Sequence, residues 1–285
     1  MITRTFKKDD KVHVCNEFDS WHEYVSFVKS APSHGRRASE DTSTSTKNFT
    51  GSKSFNHAID MATNGWAEGN DLITSMTKEI EKVMSHQASV DVYESAPVGE
   101  YYDIGDVIVG VPDCARYAVE QVSNTKSGKI VEVGVNISAS CGISTQIIVR
   151  RGAAVVALVD CLESLGYRCN VSLMIGSSMS GKQQNDRVSI KSSDNHVDRG
   201  VLAFALIHPS SLRRLGFRMT EWNDREQGWM MSSSSYGCPA EHVDESQFDI
   251  CMTSSSTRDD CWRSTEGAVK WIKDWVKKYT DKQGE

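Results

Sequence analysis

Asn136, Ser138 and Ser140 stand in Asn136-Ile137-Ser138-Ala139-Ser140, between the apolar run Val131–Val135 and a long helical stretch. Small hydroxyl and amide side chains at the end of a strand can do two kinds of chemistry. Their oxygens suit a hard divalent cation such as magnesium. Alternatively, they satisfy backbone groups where the strand turns into the helix. Asn136 offers an oxygen but no charge, so a cation here would need an Asp or Glu within coordinating reach of Ser138 and Ser140. The backbone role is the preferred reading, and no cofactor is expected.

Nucleophilic chemistry finds less support. No G-x-S-x-G surrounds Ser138. Cys141 precedes a helix, where a thiol pKa can fall, yet Ile147 occupies the place where a cysteine-phosphatase loop carries Arg. Gly176–Gln183, GSSMSGKQ, comes close to a phosphate-binding loop, but Gln183 replaces its hydroxyl residue. A strand pattern, VSIK, follows where that loop needs a helix. A hairpin tip is therefore expected there. His57, His86, His196, His208 and His242 are scattered without zinc spacing. Arg150, Arg151, Arg213 and Arg214, with aromatics such as Trp222 and Trp262, supply the parts of a basic groove with stacking platforms. Single-stranded nucleic acid is held that way, and the idea requires those arginines to converge. Arg36-Arg37-Ala38-Ser39 has the form of a basophilic kinase site within a polar stretch.

The elements that would position these residues follow from periodicity. Strand 129–137, a helix over about 144–164 and strand 167–175 make a strand–helix–strand unit long enough for a parallel crossover. Strand 187–191, helix 198–207, a Ser/Gly-rich loop over 223–246, strand 248–252 and helix 265–280 complete an α/β domain. Upstream, residues 1–29 read as a small helical segment. Residues 30–48 read as a flexible linker, and 49–87 as a helical pair. In that pair Ser54 is the cap, Phe55, Ala58, Ile59 and Ala62 form the stripe, and Gly65 is the stop. Residues 88–285 form the α/β domain, whose first part, through YYDIGDVIVGVPD, reads as β-rich. The fold class is α/β, with a central mostly parallel sheet flanked by helices.

The 285 residues, 39% hydrophobic with a net charge of −6, allow a sizeable core and give no whole-chain reason for tight nonspecific DNA binding. Eight cysteines without a CxxC pair suit a reduced, intracellular protein. The start MITRTFKKDDKVH shows no signal peptide, and no apolar run has the length of a membrane span.

The Asn136–Ser140 corner and its strand–helix setting resemble the von Willebrand factor A type, a Rossmann-like topology. In that type an Asp-x-Ser-x-Ser loop holds a divalent cation with a Thr and an Asp from two other loops, and the resemblance implies Asp259 or Asp260 for that Asp. The resemblance implies a partner-binding edge at the strand ends. Asn136 in place of Asp implies an incomplete metal corner. Two longer stretches, FTGSKSFNHAIDMATNGWAEG and VNISASCGISTQIIVRRGAAVVALVDCLESLGYRCNV, resemble signatures of an uncharacterised tailed-bacteriophage family. That resemblance implies expression in the host bacterial cytoplasm and brings no catalytic residues. The leading expectation is a non-enzymatic phage binding or assembly module with a protein partner. Its binding face would hold Asn136, Ser138, Ser140 and Ser232–Ser235. The alternatives are a single-stranded nucleic-acid-binding protein of phage DNA metabolism or transcription, and a metal-dependent enzyme.

Overall fold

The computed structural model describes residues 1–34, 37–69, 71, 73–74, 78, 93–96, 98, 101–118, 129–164, 166–179, 181–195, 198–228, 236–255 and 260–281. The chain divides into two compact units, a small one over Glu81–Ser127 and a large one made of the rest.

The large unit opens with a β-hairpin, β1 (Ile2–Lys8) and β2 (Lys11–Phe18). Helix α1 (Trp21–Ser30) follows, capped by Ser20, with Trp21, Tyr24, Val25 and Val28 buried. Residues 1–29, expected as a small helical segment, hold α1 and also this hairpin. β1 carries no apolar face and buries none of its residues, so no burial pattern announces it. Helix α2 (Thr44–Thr50) begins inside the expected linker, 30–48, and runs two residues past its end. Helix α3 (Phe55–Asn64) has the expected Ser54 cap, the stripe Phe55, Ala58, Ile59 and Ala62, and Gly65 at its end. Of the second helix of the pair expected over 49–87, Asp71, Ile73, Thr74 and Lys78 are described and helical, while the apolar residues Leu72, Met76, Ile80 and Val83 that would form its stripe lie outside the described residues.

β6 (Ile130–Asn136) leads through the corner into α5 (Thr145–Ser164), and the chain returns in β7 (Arg168–Met179) parallel to β6. β8 (Lys182–Lys191) is antiparallel to β7. The phosphate-loop look-alike is thus a hairpin tip, with Gly181 at φ +76°. Next come α6 (Arg199–Ile207), capped by Asp198, a π-helical turn Ser211–Gly216, and α7 (Phe217–Gln227). Strand β9 (Ile250–Met252) and helix α8 (Thr265–Asp281) end the unit.

Among the described residues the strands of this unit form one sheet in the order β1-β2-β8-β7-β6-β9. The expected mostly parallel sheet is corrected here. The pairs β2–β8, β7–β6 and β6–β9 are parallel, but β1–β2 and β7–β8 are antiparallel, which makes the sheet mixed. The reason is local. Two tight hairpins join neighbouring strands, and a tight turn can only reverse direction.

Register sorts the side chains into two faces. Val133 and Val135 align with Val171 and Leu173, Leu173 with Val188, and Val188 with Phe18. Phe18 meets Tyr24 of α1 edge-on at 5.1 Å, so this is the helix-covered face. Helix α5 packs between α6 and α8. Gly152 permits the close approach of α6, because a Cβ there would stand 2.1 Å from the Leu206 carbonyl oxygen. The other face is crossed by the segment after α7, where Phe248 lies on Gly134.

The small unit contains β3 (Tyr93–Ala96), β4 (Tyr101–Tyr102) and β5 (Ala115–Ala118), antiparallel in the order β3-β5-β4. The expected strand character of DIGDVIVG is corrected. Ile104–Val109 is a short helix, α4. Asp103 caps it by accepting from the Gly105 and Asp106 N–H groups, and Gly110 closes it at φ +78°. The caps at both ends outweigh the β-branched content of six residues. No described helix is long and apolar enough to cross a membrane.

Candidate functional site

β6 carries Asn136 to the end of the sheet, where it is fully buried. Its Nδ2 donates to the Ala240 carbonyl at 3.0 Å and to Glu245 Oε1 at 2.8 Å, while its Oδ1 accepts from the Ser138 N–H at 3.1 Å. Ser138, also buried, accepts on Oγ from the Gly176 N–H at 2.8 Å. Its carbonyl accepts from Ser255 N at 2.8 Å, and Ser140 N donates to Ser255 O at 3.1 Å. The corner therefore pins β6 to β7, to the segment after α7 and to the segment after β9.

That geometry decides what the corner can do. Asn136 directs its donor, not its oxygen, at the nearest carboxylate, Glu245. A cation would have to displace a hydrogen-bonded amide group and break the Ser138 turn. Among the described residues, no group of three or more His, Cys, Asp or Glu is arranged to hold a metal. Asp259 and Ser232–Ser235 lie outside the described residues, and Asp260 begins a short 3-10 turn. Beside the corner a small cleft opens between Ser138, Ile175, Leu212, Phe217 and Tyr236.

The sequence-predicted arginines occupy structural positions. Arg150 donates to the Trp262 carbonyl at 2.7 Å. Arg151 is buried and donates to the carbonyls of Asn136, at 2.9 Å, and Thr253. Arg213, 2% exposed, donates to the carbonyls of Phe49 at 2.7 Å and Ile143 at 2.5 Å, and stacks on the Phe49 ring at 3.7 Å. Arg214, 0% exposed, holds the carbonyls of Ser39 at 2.8 Å, Asp41 at 2.6 Å and Ser52 at 3.3 Å. Burial pushes the Arg213 guanidinium down to about 10 and lowers that of Arg214. Arg213 and Arg214 thus converge inside the fold, where their donors fasten residues 39–52 onto the π-helical turn. They present no basic groove to solvent.

Arg218 extends the same clamp. It donates to Ala31 O at 2.7 Å, to Ser39 Oγ at 3.0 Å and to Glu40 at 2.6 Å. Ser39, the serine of the kinase-like motif, is 0% exposed. Its N–H and Oγ donate to Glu221 at 2.9 and 2.6 Å, and Tyr236 OH adds a third bond at 3.0 Å. Burial raises the Glu221 carboxyl despite these donors.

A second buried polar group lies under α1 and α7, and no motif pointed to it. Asp186, at the centre of β8, accepts from Asn16 Nδ2 at 2.7 Å and from Gln184 Nε2. Asn16 also donates to Asn223 Oδ1 at 3.2 Å. All four residues are fully buried. Burial pushes the Asp186 carboxyl up to about 7, against the opposing effect of its two donors. QQND at 183–186 is polar at every position and shows no alternation, so it reads as a turn, although β8 buries all four residues.

A sequence profile described as a domain of unknown function, DUF7192, matches residues 5–284. The chain belongs to this family. The match takes in both units, so the small unit is part of the DUF7192 domain as the profile defines it. No curated protein and no solved structure matches the chain significantly.

Proposed function

We propose that this DUF7192 chain is a non-enzymatic binding or assembly module that engages a protein partner, and that it is phage-encoded and works in the host bacterial cytoplasm. One observation carries the binding reading. Helix α4 buries none of its six residues, although four are large and apolar. Ile104, Ile108 and Val109 are 74%, 78% and 80% exposed, and Val98 nearby is 78% exposed. Contiguous exposed apolar side chains mark interaction sites.

The corner supports the same reading. In the von Willebrand A type the equivalent oxygens face a cation, whereas here Asn136 and Ser138 serve the scaffold. The likeness to that type rests on β6, the corner, α5 and the parallel strand β7. The nucleic-acid alternative is weakened by the burial of Arg151, Arg213 and Arg214, whose donors serve carbonyls.

The test is affinity capture from producing cells with the intact chain and with the double variant Ile108→Asp, Val109→Asp. Both positions are solvent-exposed, so the variant should fold. A partner retained by the intact chain and lost by the variant, then reproduced with purified proteins, supports the reading. Equal capture by both forms, or no partner at all, overturns the role of α4.

A further inference from the structure

Among the described residues, β1 is an edge of the large sheet with no strand paired to its outer side. All seven of its residues are exposed, including Ile2 at 56% and Phe6 at 39%. Sheet edges are usually blunted by charged side chains, proline, a bulge or a covering element. β1 carries Arg4, Lys7 and Lys8 but no proline, and its register against β2 runs unbroken from Ile2↔Glu17 to Lys8↔Lys11, so charge is what guards this edge and what any pairing must accommodate.

The backbone groups that face outward can be assigned. Asp9 and Asp10, at φ 49° and 59°, form the two-residue turn of a tight hairpin. Lys8 and Lys11 then close it as a hydrogen-bonded pair, and so do Phe6–His13, Arg4–Cys15 and Ile2–Glu17 by alternation. The N–H and C=O groups of Thr3, Thr5 and Lys7 point away from β2. The other side agrees: Val12, opposite Lys7, turns its N–H from β1 and donates to Gly181 O at 2.9 Å.

We propose that β1 pairs antiparallel with β1 of a second copy, about a two-fold axis at Thr5, so that the two sheets become continuous. This register alone brings all three outward residues into hydrogen-bonded pairs: Thr5 with Thr5, and Thr3 with Lys7 of the second copy, twice. It also sets Arg4 opposite Phe6 and Ile2 opposite Lys8, so no cation faces a cation. A slip of two residues one way sets Arg4 opposite Arg4. A slip the other way sets Arg4 opposite Lys8. Both are unfavourable like-charge pairs.

Charge also favours a second copy over an acidic extended peptide. Along the hairpin Arg4, Lys7, Lys8 and Lys11 are nearly balanced by Asp9, Asp10 and Glu17, and Arg4 is already paired with Glu17. The edge therefore exerts little pull on an acidic strand and raises little barrier to its own copy. One strand pair buries less than the roughly 1,200 Å² of a standard stable interface, so the dimer is weak and concentration-dependent.

Sedimentation velocity of the full chain over a wide concentration range tests this. The expected result is a reversible monomer–dimer shift for the wild type and for Thr5→Val, which keeps the N–H. Thr5→Pro removes only an outward donor, a substitution edge strands accept. It should weaken association at least tenfold with no change in the circular-dichroism spectrum. A wild type that stays monomeric throughout, or a folded Thr5→Pro that associates equally well, overturns the proposal. If Thr5→Pro misfolds, amide exchange in the wild type decides: Thr3, Thr5 and Lys7 should slow as concentration rises, and unchanged rates overturn the pairing. The α4 double variant should dimerise normally, which separates this interface from the partner site.

Discussion

Asn16 and Asp186 are register partners across the parallel pair β2–β8, and Asn16 Nδ2 donates to the Asp186 carboxylate at 2.7 Å. The carboxylate is fully buried, with a second donor from Gln184 and, among the described residues, no cation in its hydrogen-bond shell. Two amides offset only part of the cost of removing a charge from water. The group therefore keeps its proton to about pH 7.

The stability consequence has a definite sign. A carboxyl with pKa about 7 in the fold and roughly 3.9 in the unfolded chain binds more protons when folded. Its contribution is fully present below about pH 4 and is lost as pH rises toward 7, at about 1.4 kcal/mol per pH unit across that window. His208 and His242, both pushed down to about 4 by burial, act the other way over part of the range, so the whole profile mixes opposing slopes. The comparison with Asp186→Asn isolates the carboxyl. Denaturant unfolding from pH 4 to pH 8 should show the variant gaining on the wild type by a few kcal/mol. Parallel profiles would sink the assignment.

The corner makes a second prediction. Asn136→Asp introduces a carboxylate at the position where the proposed likeness to the von Willebrand A type would place one. It also removes the donor that reaches Glu245 at 2.8 Å and sets two carboxylates against each other. The variant should lose about 2–4 kcal/mol in metal-free buffer. Magnesium should restore little of that loss, because Ser138 Oγ remains bound to the Gly176 N–H. Thermal melts with and without magnesium check this. Full recovery of Tm with magnesium would mean that the corner retains cation-binding geometry.

Arg214 supplies a third. Lysine cannot reach the carbonyls of Ser39, Asp41 and Ser52 together as the guanidinium does. Arg214→Lys should cost about 2–3 kcal/mol, whereas Lys273→Ala, on the exposed face of α8, should cost almost nothing. A labelled single-stranded oligonucleotide, followed by fluorescence anisotropy at low salt, distinguishes scaffold from ligand contact. If Arg214 served nucleic acid, the lysine variant would lose affinity at unchanged Tm.

Local chemistry in the sequence determined much of this protein. The caps Ser20, Ser54 and Asp198, the apolar stripes of α1, α3 and α5, and the β6–α5–β7 unit all follow from spacings of one to four residues. So does the hairpin tip before β8, where the pattern after Lys182 returns to a strand. The tertiary structure alone decided the fate of the polar residues. Asn16 meets Asp186 across 170 positions, and Ser39 meets Glu221 across 182. Whether such a side chain is solvated, or buried and paired, depends on which distant element covers it. The same holds for Arg213 and Arg214, whose charge suggests a surface until residues 39–52 fold over them. β1 and α4 mark the opposite case. One is a polar strand defined by its turn and its neighbour, the other an apolar run made helical by Asp103 and Gly110. Hydrophobic periodicity records burial, and neither element has burial to record.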